Sequence, residues 1–204
     1  MPRTEADKMI RIQRINVPKI YIEGALYSVT SRGDNEEVIF KDKTDYEKYL
    51  ELLKKYKEQY GFKLFAFCLM PNHLHLLFEL KPNLTISDIM HDLSANYTKY
   101  FNAKYARKGH LFQERFKMNI LEKEIYLTGI ITYIHLNPIS SGLVKDIVDY
   151  PYSGNKGDGS IFLEKIEPSP LFSKEKMQAL GDNLKKNNIL GSDEFIERVN
   201  AVSE

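Results

Sequence analysis

Residues 62–80 read FKLFAFCLMPNHLHLLFEL, two apolar runs on either side of a Pro-Asn pair. The run at 62–70 has the length and composition of a strand, and the Pro-Asn pair predicts a turn. The returning run at 73–80 completes a β-hairpin. Because residues two apart in a strand share one face, His73 and His75 project together while the leucines beside them face a core.

Outward from the hairpin, periodicity and turn residues predict five further elements. They are a strand, two helices, a short strand and a third helix, at residues 24–30, 44–60, about 85–103, 116–121 and 122–137. Pro138 is expected to stop the third helix. This order, without an internal repeat, favours an α+β sandwich in which helices pack on one face of an antiparallel sheet.

The glycine-rich stretch at 154–160, GNKGDGS, has the composition of a linker. Residues 1–153 are therefore predicted to form one domain, and residues 154–204 a linker with a small helical C-terminal appendage. Two short helical patterns lie in this appendage, near 174–184 and 192–202. We predict that the appendage is dispensable for folding.

The composition is that of a folded domain, since 43% of the 204 residues are hydrophobic and 12% are aromatic. Cys68 is the single cysteine, so no internal disulfide can form and a reducing compartment is expected. No run of about 18 apolar residues exists, and the N-terminus is charged. The chain is predicted to be soluble, without a membrane partner, and to reside in the cytoplasm (bacterial cytosol).

Charge is unevenly distributed in a chain whose net charge is only +1. Residues 99–117 hold six Lys or Arg and one acid, a balance of +5, whereas residues 158–204 hold nine acids and six bases, a balance of −3. The basic stretch is interleaved with aromatic residues, which predicts a localised site for a polyanion such as single-stranded nucleic acid. The alternative is a solvated helix end and loop, in which Phe112 and Phe116 anchor the loop to the core.

Two pairs of residues could carry chemistry. Two neutral imidazoles on one face, those of His73 and His75, form a partial site for a divalent cation, although a His-x-His can also be incidental. Tyr133 and Asn137 lie four residues apart and therefore on one face of the third helix. Spacing alone favours a simpler interpretation of this second pair, in which Tyr133 is a half-buried aromatic and Asn137 ends the helix.

Together these residues resemble a known family. Residues 66–77, AFCLMPNHLHLL, closely resemble the metal-binding strand of HUH transposases, the single-tyrosine enzymes of the insertion sequence 200 type. Further stretches are similar to one branch, the REP-associated tyrosine transposases: RGDN at 32–35, GHLFQERFK at 109–117, YIHLNP at 133–138, SGLV at 141–144 and DYPYS at 149–153. The resemblance extends from about Ile20 to Ser153.

This resemblance implies a ferredoxin-like, RRM-like fold with His73 and His75 on its central strand. There they would hold a divalent metal ion, Mg²⁺ or Mn²⁺. Tyr133, on the third helix, would be the nucleophile, and Tyr126 on the same helical stripe is the reserve candidate. Asn137 stands where other single-tyrosine transposases place a glutamine as the third metal ligand.

The implied activity is metal-dependent cleavage and transfer of single-stranded DNA through a 5′-phosphotyrosine intermediate, as in DNA transposition and the processing of REP elements. The partner would be single-stranded or hairpin DNA, and the protein a monomer or a homodimer. No clear general base is evident, and His135 and the metal are weak candidates. DNA contacts are expected from eight residues: Arg32, Asn35, Lys104, Arg107, Lys108, His110, Arg115 and Lys117.

Two alternatives compete with a transposase. One is a catalytically inactive DNA- or RNA-binding regulator that keeps the same fold. The other is a replication initiator or relaxase of the HUH class, although those generally carry the tyrosine motif in a different setting. The presence of both histidines, Tyr133 and Asn137 favours the transposase over the inactive regulator.

Overall fold

A five-stranded sheet is the centre of the computed structural model, which describes residues 20–113, 115–154, 163–164 and 174–202. Its strands, in chain order, are β1 Leu26–Arg32, β2 Lys63–Met70, β3 His73–Glu79, β4 Lys117–Leu121 and β5 Ile189–Leu190. Their order across the sheet is β2-β3-β1-β4-β5. Neighbouring strands pair antiparallel, except that β4 and β5 are parallel.

The described helices are α1 Lys43–Tyr60, α2 Ile86–Lys104, α3 Lys123–Ser140, α4 Lys174–Lys186 and α5 Asp193–Ala201. Capping boxes begin α1 and α2, because the side chains of Asp42 and Thr85 each accept a hydrogen bond from the backbone three residues on. Gly61 ends α1 in the left-handed conformation, with φ 67°. None of these helices is both long enough and apolar enough to cross a lipid bilayer.

The predicted α+β class is confirmed, and β1 to β4 have the strand order of a ferredoxin-like sheet. The hairpin is also confirmed, with Met70 paired to His73 across the Pro-Asn turn. Alternate β3 side chains face the core as expected, since Leu74 and Leu76 belong to the larger apolar cluster. The sheet departs from the prediction at β5, which pairs parallel at one edge.

The prediction that the helices pack on one face of the sheet is wrong. The larger apolar cluster lies between the sheet and α1 and α2, and includes Leu74 and Leu76. On the opposite face, Ile130 and Ile134 of α3 pack with Met70 in a second cluster. Every β2 residue after its first is buried, so this strand needs cover on both faces.

Helix α3 continues to Ser140, although the sequence predicts that Pro138 stops it. Proline lacks the N–H that would bond the carbonyl oxygen four residues earlier, which belongs to Ile134. Asn137 substitutes for it, because its Nδ2 donates to the carbonyl oxygens of Tyr133 at 2.8 Å and Ile134 at 3.3 Å. The final turn persists because a side-chain amide satisfies the acceptor that proline leaves free.

Residues 174–202 of the C-terminal segment belong to the same fold, so this described part does not form the separate appendage that the sequence predicts. The backbone of β5 pairs with β4 and extends the sheet. Phe195 and Val199 of α5 are buried in the larger cluster. Leu180 of α4 and Leu190 of β5 are buried in the second cluster, beneath α3. The segment therefore completes the core on both faces of the sheet.

The local expectations for this segment are largely confirmed, since both helical patterns are helices, α4 and α5. The predicted linker lies, apart from Gly154, outside the described residues. Gly154 is buried, and its backbone N–H donates to the carbonyl oxygen of Phe67 at 3.0 Å. Helical periodicity identified the two helices correctly, but it does not indicate which surface an amphipathic helix covers.

Candidate functional site

The two histidines of β3 lie on the face of the sheet that α3 covers. Their ring centroids are 5.1 Å apart. In the neighbouring strand β1, Thr30 lies directly opposite His75 and Arg32 directly opposite His73. The alternation of β3 therefore produces the shared face that the sequence predicts, with a hydroxyl and a guanidinium beside it.

An oxygen atom lies at hydrogen-bond distance from the Nδ1 atom of each imidazole. Asn72 Oδ1 is 2.7 Å from His73 Nδ1, and Thr30 Oγ1 is 3.0 Å from His75 Nδ1. An amide oxygen only accepts, so His73 Nδ1 donates and its Nε2 keeps a lone pair. His75 Nε2 is buried and has no hydrogen-bond partner in the described part of the chain. Nε2 of His73 is therefore available as a ligand atom, and Nε2 of His75 is available in the tautomer whose Nδ1 donates to Thr30 Oγ1.

Burial keeps these histidines neutral at neutral pH. Desolvation, reinforced by the charge of Arg32, lowers the pKa of His73 from 6.5 to about 4. Desolvation, with smaller contributions from His73 and Arg32, lowers the pKa of His75 to about 3. Neutral imidazole is the form that binds a metal ion. The pair is therefore in the correct protonation state to receive a cation.

The same pKa values predict that the metal-free protein loses stability on acidification. The folded-state pKa values of His73, His75 and His135, about 4, 3 and 4, all lie below the ordinary 6.5. Between these limits the unfolded chain binds protons that the folded chain does not, so the free energy of unfolding falls as pH falls. Urea unfolding in the presence of a chelator, from about pH 7.5 to about pH 5, measures this slope.

His135→Leu provides the control for this pH dependence, because it removes one buried imidazole and leaves β3 unchanged. The variant should show a shallower decrease in stability with pH than the wild type. A wild-type free energy of unfolding that does not change over this range would contradict the expectation.

Tyr133 and His75 meet in a cleft of about 460 Å³ between the sheet and the helices above it. The ring centroids of the two residues are 6.4 Å apart. Tyr126, the reserve candidate, is not among the residues that line this cleft. The geometry therefore favours Tyr133 over Tyr126 as the candidate nucleophile. Besides His75, the polar lining residues on the sheet side are Ser28, Thr30, Arg32, Lys117 and Asn119.

Asn137 has a more local set of contacts than the sequence suggested. Its hydrogen bonds in the described structure run through Nδ2 to its own helix, and it does not line the cleft. Among the described residues, no group of three or more His, Cys, Asp or Glu side chains is placed to hold a metal. Two imidazoles with an amide oxygen, or with water, remain the donor set that this site offers.

His135 is not placed to act as the general base. Its Nε2 is buried without a hydrogen-bond partner among the described residues, and desolvation lowers its pKa to about 4. A Cβ atom at Gly154 would lie 3.4 Å from that nitrogen, and His135 is not among the residues that line the cleft, so the ring points toward Gly154 rather than into the cleft. The cleft is lined by Tyr133, two residues earlier, on a different side of α3.

The predicted basic stretch at residues 99–117 divides into two parts, because two of its cations form ion pairs with carboxylates of this chain. Lys104 Nζ contacts both carboxylate oxygens of Asp42 at 2.7 Å and Oδ1 of Asp45 at 2.8 Å, across the start of α1. Arg107 donates to Glu37 at 2.6 Å. These contacts join α2 and its following loop to the body of the protein. Lys104 and Arg107 therefore have structural roles, and their assignment as DNA contacts stays a prediction.

Three other cations surround the end of β1 beside the cleft. Arg32, Arg115 and Lys117 are exposed and line a hollow of about 260 Å³ that shares Thr30 with the cleft. Asn35, Lys108 and His110 are also exposed, on the loops at 33–36 and 106–113. These loops are joined, because the Asp34 N–H donates to the carbonyl oxygen of Leu111 at 2.9 Å. Phe112 and Phe116 pack against the core, as the simpler interpretation predicted.

Comparison with known proteins agrees with this geometry. Residues 23–137, more than half of the chain, match the family model described as "Transposase IS200 like". The chain belongs to this family. The match contains both histidines, Tyr133 and Asn137, so the predicted resemblance is confirmed at the level of the family.

Two curated relatives of this transposase are REP-associated. A putative REP-associated tyrosine transposase of Haemophilus influenzae is 28% identical over 155 residues, 68% of this chain and 84% of that protein. A REP-associated tyrosine transposase of Escherichia coli is 22% identical over 138 residues, 66% of this chain and 79% of that protein. A solved structure of a REP-associated tyrosine transposase bound to a REP hairpin covers 73% of this chain and 96% of its own, with TM-score 0.56 and 21% identity, and so shares the fold.

Sequence reasoning missed several residues of the candidate site. Thr30 and Asn72 orient the histidines, but Thr30 is recognisable only once the register of β1 against β3 is known. Asn119 lines the cleft from β4. Gly181 and Lys185 come from α4, which the sequence assigned to an appendage. The one sequence signal for the role of Asn72 is its position directly before the histidine pair. From the sequence alone, this residue is predicted only as part of a turn.

Proposed function

We propose that this transposase cleaves and rejoins single-stranded DNA, with Tyr133 as the nucleophile beside a divalent-metal site. The observation that carries the proposal is the approach of Tyr133 to His75, whose ring centroids are 6.4 Å apart in a common cleft. His75 Nε2 is buried there without a described partner, and an unsatisfied buried nitrogen is costly unless a ligand uses it.

The proposed reaction is a transesterification at phosphorus. The Oη atom of Tyr133 forms a bond to the scissile phosphorus while the bond from phosphorus to the 3′ oxygen breaks. The phenolic proton leaves to solvent, and the departing 3′ oxygen takes up a proton to become a 3′-hydroxyl. The 5′-phosphotyrosine conserves the energy of the broken link, so a second 3′-hydroxyl can reverse the step and join a new strand.

The residues present fit a divalent cation. His73 and His75 would hold it through Nε2, and Asn137 Oδ1 is the candidate third ligand because the hydrogen bonds of that amide use Nδ2. A bound Mg²⁺ or Mn²⁺ supplies charge neutralisation at a phosphate oxygen. With two imidazole ligands, the site should prefer Mn²⁺ over Mg²⁺.

Arg32, Arg115 and Lys117 are proposed to contact backbone phosphates of the DNA next to the cleavage site. They are exposed and surround the hollow that adjoins the cleft. Asn35, Lys108 and His110, on the neighbouring loops, are proposed to extend this surface toward a hairpin. Phosphate contacts of this kind give affinity without base specificity.

The proposed nucleophile and the proposed metal ligands come from one chain. Tyr133 of α3 lies against the same sheet that carries His75, and α3 follows β4 directly. This favours a site completed in cis and a protein that acts as a monomer. Analytical ultracentrifugation with and without a hairpin oligonucleotide would detect a dimer if one forms.

Formation of a covalent protein–DNA adduct tests the proposed function. The protein is incubated with Mn²⁺ and a fluorescent single-stranded oligonucleotide that carries a hairpin, and denaturing gel electrophoresis resolves a labelled protein band. The proposal requires an adduct that disappears when a chelator replaces Mn²⁺. Tight binding of the oligonucleotide without any adduct would instead support the inactive-regulator alternative.

His73→Ala/His75→Ala should lose most Mn²⁺ binding while it keeps the fold. Each imidazole contributes one of the nitrogen ligands, and the site lies on a sheet whose core is formed by other residues. Calorimetric titration with Mn²⁺ measures the affinity, and His91→Ala, which removes an exposed imidazole on α2, is the matched control. Equal affinity of the double variant and the wild type for Mn²⁺ would show that the two histidines do not hold the metal.

A further inference from the structure

Helix α4 lies beyond the residues that match the family model, yet it touches the proposed nucleophile. Gly181 is buried, and a Cβ atom built on it would lie 3.0 Å from Cε2 of Tyr133 and 3.6 Å from its Oη. A side chain at position 181 would therefore press on the tyrosine ring. The glycine lets α4 approach Tyr133 without displacing the ring, which would have to move by a few tenths of an ångström to admit a Cβ atom.

Three contacts fix α4 in this position. Leu180 is buried in the cluster beneath α3. The Nδ2 of Asn119, from β4, donates to the carbonyl oxygens of Leu184 at 2.9 Å and Asn187 at 2.5 Å, which satisfies acceptors at the end of α4. Directly afterwards, Ile189 pairs with β4. A helix held by the core, by a strand side chain and by the sheet itself is part of the site rather than a loose cover.

Lys185 brings a cation to the cleft from this helix. It follows Gly181 by four residues and so lies on the same helical face, and both residues line the cleft with Tyr133 and His75. Its ion pair with Asp182 is long, at 3.6 Å, and the side chain is 73% exposed. Such an exposed ion pair contributes little to the stability of the fold. The ammonium group can therefore leave Asp182 and bind a phosphate.

We propose that α4 forms a fixed wall of the strand-binding cleft, in which Lys185 contacts a backbone phosphate of single-stranded nucleic acid beside Tyr133. This inference rests on the proposed function. The opposite wall carries Arg32 and Lys117, so a strand in the cleft would have cations on both sides. Phosphates of a polynucleotide are the chemistry that fits a cleft with cations on both walls and a nucleophile between them.

Lys185→Ala tests the phosphate contact, and Lys186→Ala is the matched control because it removes the same charge from the same helix outside the cleft lining. Affinity for a fluorescent hairpin oligonucleotide with a single-stranded extension is measured by anisotropy over a series of salt concentrations. Lys185→Ala should reduce the slope of log affinity against log salt by about 0.7, the value of one contact to a single strand. Equal slopes for the two variants would overturn the inference.

Gly181→Ala distinguishes a fixed wall from a cover that must move away. Alanine favours a helix more than glycine does, so folding should not suffer from the change itself. Its methyl group would displace the Tyr133 ring by a few tenths of an ångström. The rate of adduct formation should fall by roughly tenfold with the salt slope of binding unchanged. A faster rate would show that α4 is an obstructing cover, and an unchanged rate would show that Tyr133 does not rest on α4. Either result would contradict the proposal that α4 is a fixed wall.

Failure of this inference and failure of the proposed function give different results. If the wild type forms no adduct in the presence of Mn²⁺, the proposed function fails, whatever the salt dependence of binding. If the wild type forms the adduct while Lys185→Ala and Lys186→Ala behave alike, only the role of α4 is wrong.

Discussion

Tyr133→Phe should eliminate the covalent protein–DNA adduct while leaving oligonucleotide binding essentially unchanged. The substitution removes only the hydroxyl that would form the bond to phosphorus, and the remaining ring keeps its contact with Gly181. The expected loss is complete, because no other group of the side chain can attack. Denaturing gels report the adduct and anisotropy reports binding, so the two effects separate within one preparation.

Tyr126→Phe is the control for this experiment, since it changes a tyrosine of the same helix that does not line the cleft. Its adduct should form at the wild-type rate. An adduct lost in Tyr126→Phe and kept in Tyr133→Phe would reverse the assignment. Thermal melts of both variants should coincide with the wild type, which excludes unfolding as the cause of a lost adduct.

A chain truncated after Ser153 should fail to fold. The truncation removes the buried side chains of Leu180, Leu190, Phe195 and Val199, and it uncovers the apolar surface on which they lie. Each such side chain contributes about 1.5–3 kcal/mol, and an ordinary domain is stable by only about 5–15 kcal/mol in total. Circular dichroism should show a non-cooperative melt, and the product should aggregate during expression.

Phe195→Ala provides a graded version of the truncation. This single change in a buried aromatic residue should cost about 3–5 kcal/mol and lower the melting temperature without abolishing the cooperative transition. Arg198→Ala, an exposed change on the same helix, should have little effect. A truncated protein that melts cooperatively near the wild-type temperature would restore the prediction of a dispensable appendage.

The sequence contained enough information to predict the hairpin and its shared histidine face. Strand alternation is a local property, so His73 and His75 could be placed together without knowledge of any other element. The approach of Tyr133 was not available from periodicity and came from the family resemblance. The apolar run of β2 already indicated burial on both faces, and the prediction of helices on one face overlooked that signal.

Other features depend on contacts that are distant in sequence. Lys104 and Arg107 are basic residues in a basic stretch, and their acidic partners lie about sixty residues or more earlier in the chain. Composition therefore cannot distinguish a paired cation from a free one. The same holds for β5, where two residues pair with a strand about seventy positions away. The continuation of α3 past Pro138 is equally hard to predict from sequence. It depends on the rotamer in which the Asn137 side chain donates to the carbonyl oxygens of Tyr133 and Ile134.

The parallel pairing of β5 with β4 has a consequence for the order in which the protein becomes active during synthesis. Tyr133 and both histidines are translated before Ile189, but a domain generally folds as a unit. Until β5 and the helices on either side of it are available, the nascent chain lacks the buried side chains of Leu180, Leu190, Phe195 and Val199 on which folding depends. The proposed cleft is therefore assembled only after the segment that contains α4 and β5 has been translated, and not stepwise from the N-terminus.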